Sequence, residues 1–232
     1  MTRKVSCPPS PMRTRVKICC ISSVAEAQAA VAAGADAIGL VSAMPSGPGV
    51  IGEGLIAEIA AAAPPALGTF LLTSEVEPAA IVAQQHRCGI NTIQLCDALD
   101  AGAYRVLREA LPGIALIQVI HVRGESAVAE AIEAAPSVDG LLLDSGNPSA
   151  PVKELGGTGR LHDWALSRRI VAEAPCPVFL AGGLNSDNVA EAIHHVRPYG
   201  VDLCTGVRTD GALDAAKLGA YMGAVATADA GR

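Results

Sequence analysis

From residue 16 onward, short apolar runs rich in β-branched residues and leucine alternate with alanine-rich helical runs, and the alternation repeats eight times. "VKICCI" precedes "SVAEAQAAVAAGA", with Ser22 or Ser23 placed to cap a helix and Gly34 to end it. "DAIGLVS" leads through a Gly/Pro loop to "EGLIAEIAAAA", and "ALGTFLLT" precedes "EPAAIVAQQHRCG", where Pro78 suits a first helical turn. "NTIQLC" precedes "AGAYRVLREAL", "IALIQVIHV" precedes "ESAVAEAIEAA", and "VDGLLLDS" leads through a glycine loop to "DWALSRRIVAEA". "PVFLAGG" with "SDNVAEAIHHV", and "GVDLCTGV" with "DAAKLGAYMGAV", complete the series. Strands that read as continuous apolar runs are buried on both faces, as parallel sheets require. Eight such units without a composition break predict a single-domain (β/α)8 TIM barrel over residues 16–225, rather than a doubly wound open sheet. Residues 1–15, basic and proline-rich, are expected to form a flexible extension, and 226–232 a C-terminal tail.

Composition narrows the function. The chain of 232 residues carries a net charge of −6 and only 3% aromatics, so it lacks the basic face and stacking rings of a nucleic-acid binder. No apolar run approaches the ~18 residues that span a membrane. The N-terminal stretch has no apolar core of the signal-peptide kind. The seven cysteines (Cys7, Cys19, Cys20, Cys88, Cys96, Cys176, Cys204) are scattered, odd in number and free of any CxxC pair. That pattern argues against a disulfide framework or a zinc site and predicts a cytoplasmic protein.

In a barrel of this type, function sits at the C-terminal ends of the strands. The polar or glycine-bearing positions there are Cys19, Cys20, Cys96, Asp144, Gly182, Gly183, Thr205 and Gly206. "KELGGTGRLHDW" follows strand six, "LAGGLNSDN" ends strand seven and "CTGV" ends strand eight. Glycines bring backbone N–H groups close to an anion, and Gly157, Gly182, Gly183, Thr205 and Gly206 are expected to bind a phosphate. For any one glycine pair a tight turn is the better explanation; three on adjacent strand ends favour phosphate.

"KIC", "GADAIG", "IQL", "LLLD", "GGTG…DW", "LAGGLNSDNV" and "YGVD…GV", in order over residues 16–222, resemble the phosphoribosylanthranilate isomerase family. The resemblance implies a (β/α)8 fold and an Amadori rearrangement in tryptophan biosynthesis. It implies a small-molecule phosphosugar substrate and neither cofactor nor metal. It places the general base on Cys19 and the general acid on Asp144. The chemistry suits those assignments, since a carboxylic acid in a secluded site can protonate a ribose ring oxygen. A thiolate under positive potential can then remove the C2 proton of the Schiff base. Strand alternation puts Lys17 and Cys19 on one face, and a lysine fits the barrel interior better than the apolar helix layer. Cys19 is therefore expected inside and Cys20 outside, as a structural residue. Asp202 is expected to partner Lys17, Gln94, Cys96 and His121 to line the substrate pocket, and His194 and His195 to lie at the surface.

Four departures from the family pattern matter. Its loop after strand two carries "SPR", whose arginine clamps the anthranilate carboxylate; here the loop reads "MPSGPGVIG". "KICG" is "KICC", Cys96 replaces a histidine after "QL", and Arg208 replaces a glutamate after the last "GV". Either Arg208 or Arg123 holds the carboxylate instead, or the substrate is an N-phosphoribosyl amine without one. Two further readings are a barrel that keeps phosphosugar binding without catalysis, and a lyase or epimerase. Monomer and homodimer are both open.

Overall fold

The computed structural model describes residues 13–157 and 159–231, and in it eight parallel strands close into a barrel in chain order. They are β1 (Arg15–Ile18), β2 (Ala37–Val41), β3 (Gly68–Thr73), β4 (Thr92–Leu95), β5 (Ala115–His121), β6 (Gly140–Asp144), β7 (Val178–Leu180) and β8 (Gly200–Leu203). The helices between them are α1 (Val24–Ala32), α2 (Glu53–Ala62), α3 (Pro78–Cys88), α4 (Ala101–Ala110), α5 (Ser126–Ala134), α6 (Trp164–Glu173) and α7 (Val189–Val196), with α8 (Ala215–Ala230) closing the chain. Ser23 caps α1 by accepting from the Glu26 N–H, Pro78 opens α3, and Asp163 and Asp214 cap α6 and α8.

Alternation along the strands sorts side chains into two cores. Val16, Ile18, Ile38, Leu40, Leu71, Ile93, Ile120, Leu143 and Leu180 pack outward beneath the helices, most of them completely buried. Burying each such side chain contributes about 1.5–3 kcal/mol, so this outer layer holds the fold together. Ala37, Val41, Phe70, Leu72, Ile117, Val119, Leu142 and Phe179 point inward and fill the barrel. Phe70 and Phe179 meet edge to face with centroids 5.9 Å apart, and Tyr199 continues the stack below.

The interior also holds a lysine, as the sequence predicts. Lys17 Nζ donates to Asp202 Oδ1 at 2.8 Å and lies 5.3 Å from the centre of the Phe70 ring. The two residues are direct partners in the β1–β8 register. Gly39 on β2 makes room for this group: a Cβ there would come within 2.7 Å of Cys19 Sγ and 3.0 Å of Lys17 Nζ.

Three boundaries differ from expectation. Most of the proposed N-terminal extension, residues 1–12, lies outside the described residues, whereas Arg15 already belongs to β1 and Thr14 bonds Asp229 through both its N–H and its hydroxyl. The proposed tail is helix as far as Ala230, because Val225 and Ala228 are buried against the barrel wall. A short antiparallel hairpin, β9 (Arg208–Thr209) and β10 (Ala212–Leu213), intervenes before α8. Its turn residues Asp210 and Gly211 both take positive φ, the Asp-Gly pattern of two-residue hairpins. Among the described residues, no helix is long and apolar enough to cross a membrane.

Candidate active site

At the C-terminal mouth of the barrel a cleft open to solvent brings together Cys19, Gln94, Cys96, Asp144, Gly157, Gly182, Gly183 and Thr205. The strand-end residues face it because they continue the inward-pointing parity of β1, β4 and β6. Cys19 follows β1, and its N–H still bonds Leu203 O of β8, so the thiol keeps the interior orientation expected of it. Asp144 ends β6 and is buried, with Oδ1 accepting from the Ser145 N–H at 2.7 Å.

Burial sets the proton affinities here. It raises the Asp144 carboxyl above the ordinary carboxylate range, with Asp202 acting in the same direction and the Ser145 N–H and His121 opposing. It pushes the Cys19 thiol up to about 11, against the pull of the Lys17 ammonium. The Cys96 thiol is raised further, also chiefly by burial. Lys17 itself stays charged: burial works against it, but Asp202 and Cys19 outweigh that and lift its pKa. The site thus holds a carboxylic acid able to donate a proton and a thiol whose anion is a strong, sparsely populated base.

The phosphate-binding candidates divide. Gly157, Gly182, Gly183 and Thr205 border the cleft, while Gly206 packs against Leu184 O and does not. Gly182 and Gly183 have φ of +83° and +66°, and a side chain at either would press on the backbone of Arg160. Glycine there lets the loop after β6 lie against the turn after β7.

Three of the other candidate ligands lie off the cleft. Arg208 does not reach the cleft. Its side chain is 8% exposed and is held by Glu26, to which Nη1 donates at 3.0 Å and Nη2 at 2.9 Å, and by the Cys20 and Gly211 carbonyls. Hairpin β9–β10 turns it toward α1. His121 does not border the cleft either; its Nε2 pairs with Cys96 O at 3.1 Å and its ring lies against Gly146. Arg123 is exposed and stands off the cleft.

Cys20 corrects the expectation for it and for disulfides generally. Strand alternation stops at Ile18, and at Cys20 the chain turns with φ +62°, so its side chain faces the mouth instead of the helices. There it is bridged to Cys204, with the two Cα atoms 5.8 Å apart. No sequence signal put Cys20 opposite Cys204.

The remaining wall comes from two loops. Met44, Ser46, Gly47 and Pro48 follow β2, and Leu155 and Gly156 follow β6. The loops touch: Ser46 Oγ donates to Lys153 O at 2.7 Å, and a Cβ on Gly157 would fall 2.6 Å from Pro48 Cδ. Among the described residues no arginine or lysine lines the cleft itself, while Arg160, paired with Glu154, lines the groove that adjoins it across Ser46, Gly47, Gly156 and Gly157. These loop residues went unassigned in the sequence because position past a strand end is set by contacts, not by periodicity.

Comparison with known proteins agrees with this architecture. The family description "N-(5'phosphoribosyl)anthranilate (PRA) isomerase" matches residues 16–224. The N-(5'-phosphoribosyl)anthranilate isomerase of Haloferax volcanii is 38% identical over 219 residues, covering 93% of this chain and 94% of that protein. The crystal structure of phosphoribosyl anthranilate isomerase from Thermotoga maritima superposes with a TM-score of 0.80 at 28% identity, covering 92% of this chain and 99% of the other. A phosphoribosyl anthranilate isomerase solved in complex with reduced 1-(o-carboxyphenylamino)-1-deoxyribulose 5-phosphate superposes with a TM-score of 0.77 at 26% identity over the same shares. The chain belongs to the phosphoribosylanthranilate isomerase family.

Proposed function

We propose that this protein is an aldose–ketose isomerase that converts N-(5'-phosphoribosyl)anthranilate into its 1-deoxyketose phosphate, a step of tryptophan biosynthesis. The observation that supports it is the convergence of Cys19 and Asp144 on one secluded cleft with glycine-lined strand ends beside them. Asp144, whose hold on a proton is strengthened by burial, donates to the ribose ring oxygen and opens the ring to a Schiff base. The Cys19 thiolate removes the proton from C2, and the resulting enolamine tautomerises to the ketone. Lys17 is the cation that favours this thiolate, opposing the burial that pushes Cys19 up to about 11. Gly157, Gly182, Gly183 and Thr205 hold the terminal phosphate with backbone donors. Gln94 faces the sugar with Oε1, which is buried and has no hydrogen-bond partner among the described residues.

A second reading concerns the aryl group alone. With Arg208 tied to Glu26 and no cation lining the cleft itself among the described residues, the chemistry also suits an N-phosphoribosyl arylamine without a carboxylate. Comparing kcat/KM for N-(5-phosphoribosyl)anthranilate and N-(5-phosphoribosyl)aniline separates the two. A preference for the aniline compound selects the second.

The test of the catalytic scheme is direct. Cys19→Ser and Asp144→Asn should each lower kcat by about 10²–10⁴-fold while the purified proteins remain folded. Neither variant should restore growth to a tryptophan auxotroph that the unaltered gene rescues. Full activity in both variants, or failure of the unaltered protein to turn over either substrate, would leave a phosphosugar-binding barrel as the better reading.

A further inference from the structure

We propose that Cys20 and Cys204 form a reversible thiol–disulfide couple that responds to the glutathione pool and sets the shape of the cleft at both its ends; its effect on turnover rests on the function proposed above. The two cysteines lie 184 positions apart in sequence, yet their Cα atoms are 5.8 Å apart across the mouth, within the span a disulfide requires. Each adjoins a working group, since Cys20 directly follows Cys19 and Cys204 directly precedes Thr205.

Three observations support a functional couple over two packing residues. First, Cys20 occupies the left-handed region at φ +62°, which any residue with a Cβ adopts at a cost, and its side chain is the one that reaches the partner sulfur. Second, the segments bearing the cysteines are fastened independently of the bridge: Arg208, on the hairpin after β8, donates to the Cys20 carbonyl and pairs with Glu26 on α1. The thiols therefore stay opposed when reduced, and the bond can break and reform without rebuilding the mouth. Third, Cys20 is packed against the loop after β2. A Cβ on Gly49 would lie 2.4 Å from Cys20 Cβ, and Cys20 Sγ stands 3.7 Å from Pro48 O. A change at this sulfur thus reaches the aryl wall through Pro48 and the phosphate end through Thr205.

The exchange is balanced with a low-molecular-weight disulfide as the oxidant. Cys204, half-buried, is the more accessible thiol, whereas Cys20 is 5% exposed. The Cys204 thiolate attacks glutathione disulfide, forming a mixed disulfide and releasing one glutathione. Cys20 then displaces the second glutathione, so two electrons pass from the protein thiols to glutathione and two protons are taken up by the released thiols. Reduction by a thiol runs the same steps backward. Both sulfurs border the cleft, so reagent and substrate compete for the same entrance.

The experiment incubates the full chain in glutathione buffers of graded ratio, traps free thiols under denaturing conditions with a maleimide, and maps the peptides. In the oxidising buffers, five of the seven cysteines should be labelled, with Cys20 and Cys204 recovered as one linked peptide; in the reducing buffers, all seven. The linked form should melt roughly 5–10 °C higher, as expected for closing so long a loop. Saturating inorganic phosphate should slow reduction of the pair at least about threefold. KM for phosphoribosylanthranilate should differ by about threefold or more between the two forms, and Cys204→Ser should behave as the reduced protein in every buffer. Labelling of both thiols in glutathione disulfide by a folded protein overturns the couple. So does a linked peptide whose formation changes neither KM nor the effect of phosphate. A protein that turns over no phosphoribosylanthranilate refutes the isomerase reading instead; the phosphate protection then decides the couple by itself.

Discussion

On the proposed function, the groups assigned to acid–base chemistry and phosphate stand on a strand or within two or three residues of its end: Cys19 after β1, Asp144 closing β6, Gly182 and Gly183 after β7, Thr205 after β8. The part of the wall left for the aryl group stands on long connections, with Ser46 and Pro48 midway between β2 and α2 and Leu155 well past β6. The first set is positioned by the barrel's hydrogen-bond ladder and by one buried ion pair. The second is positioned by loop-to-loop contacts such as Ser46 Oγ on Lys153 O. The contrast teaches that the proposed chemistry is anchored in the hydrogen-bonded barrel. The proposed recognition of the aryl group sits on loops, where sequence can change without disturbing the fold.

The sharpest way to break that contrast is to remove the ion pair beneath the rigid end. Lys17→Met leaves Asp202 buried without its partner, which should cost about 3–5 kcal/mol in urea unfolding. It also removes the cation that opposes burial at Cys19, so thiolate becomes scarcer still and kcat should fall well beyond what lost stability explains. Replacing both residues, Lys17→Met with Asp202→Leu, should recover most of the stability and none of the activity. Recovery of turnover in the double variant would show that the pair acts only as scaffold.

The same division explains what the sequence could convey. Eight apolar runs alternating with helical ones determine a barrel, and parity along β1, β4, β6 and β8 places Lys17, Cys19, Gln94, Asp144 and Asp202 inside without any knowledge of contacts. Parity fails as soon as the strand ends. Cys20 is two residues past Ile18, and a single positive φ reverses the side assigned to it. Arg208 fails for a related reason: the Asp-Gly turn of a hairpin too short to register as a strand pair swings it toward Glu26 and out of the cleft. The residues of the aryl wall carry no periodic signal, since their positions follow from long-range loop contacts.

A smaller effect is expected behind the cleft on α1, where Glu26 gathers Arg208, the Leu213 N–H and the Ser22 N–H. Burial opposes its charge, but the hydrogen bonds from Arg208 and the two backbone donors prevail and lower its pKa from 4.5 to about 2. The unfolded chain therefore binds a proton before the folded one does as pH falls. The stabilisation from this carboxylate is complete above pH 4.5 and is lost progressively as pH drops toward 2, amounting to at most about 3 kcal/mol. In Glu26→Gln, urea midpoints at neutral pH should fall, because Arg208 keeps its burial without its ion pair. Over the acid range the variant should decline less steeply than the unaltered protein. Parallel acid profiles would place the acid sensitivity elsewhere in the barrel.

The smallest effect should come from the aryl end itself, and it tests the contrast most closely. Ser46→Ala removes the hydroxyl that ties the loop after β2 to Lys153 O, in an exposed setting where such a bond contributes about 0.5–1.5 kcal/mol at most. Global stability should change by less than ~1 kcal/mol, because the lost bond is exposed and Met44 and Leu155 still hold the two loops on the inner core. The loosened loop still carries Pro48 against Gly157, so the wall keeps its shape on average and loses only preorganisation. KM for the arylamine substrate should therefore rise severalfold, with kcat nearly unchanged, since Cys19 and Asp144 are held by strands that the loop does not support. A fall in kcat comparable to that of Asp144→Asn would mean that closure of these two loops assembles the acid and base, and the separation of the cleft into a rigid chemical end and an adaptable recognition end would fail.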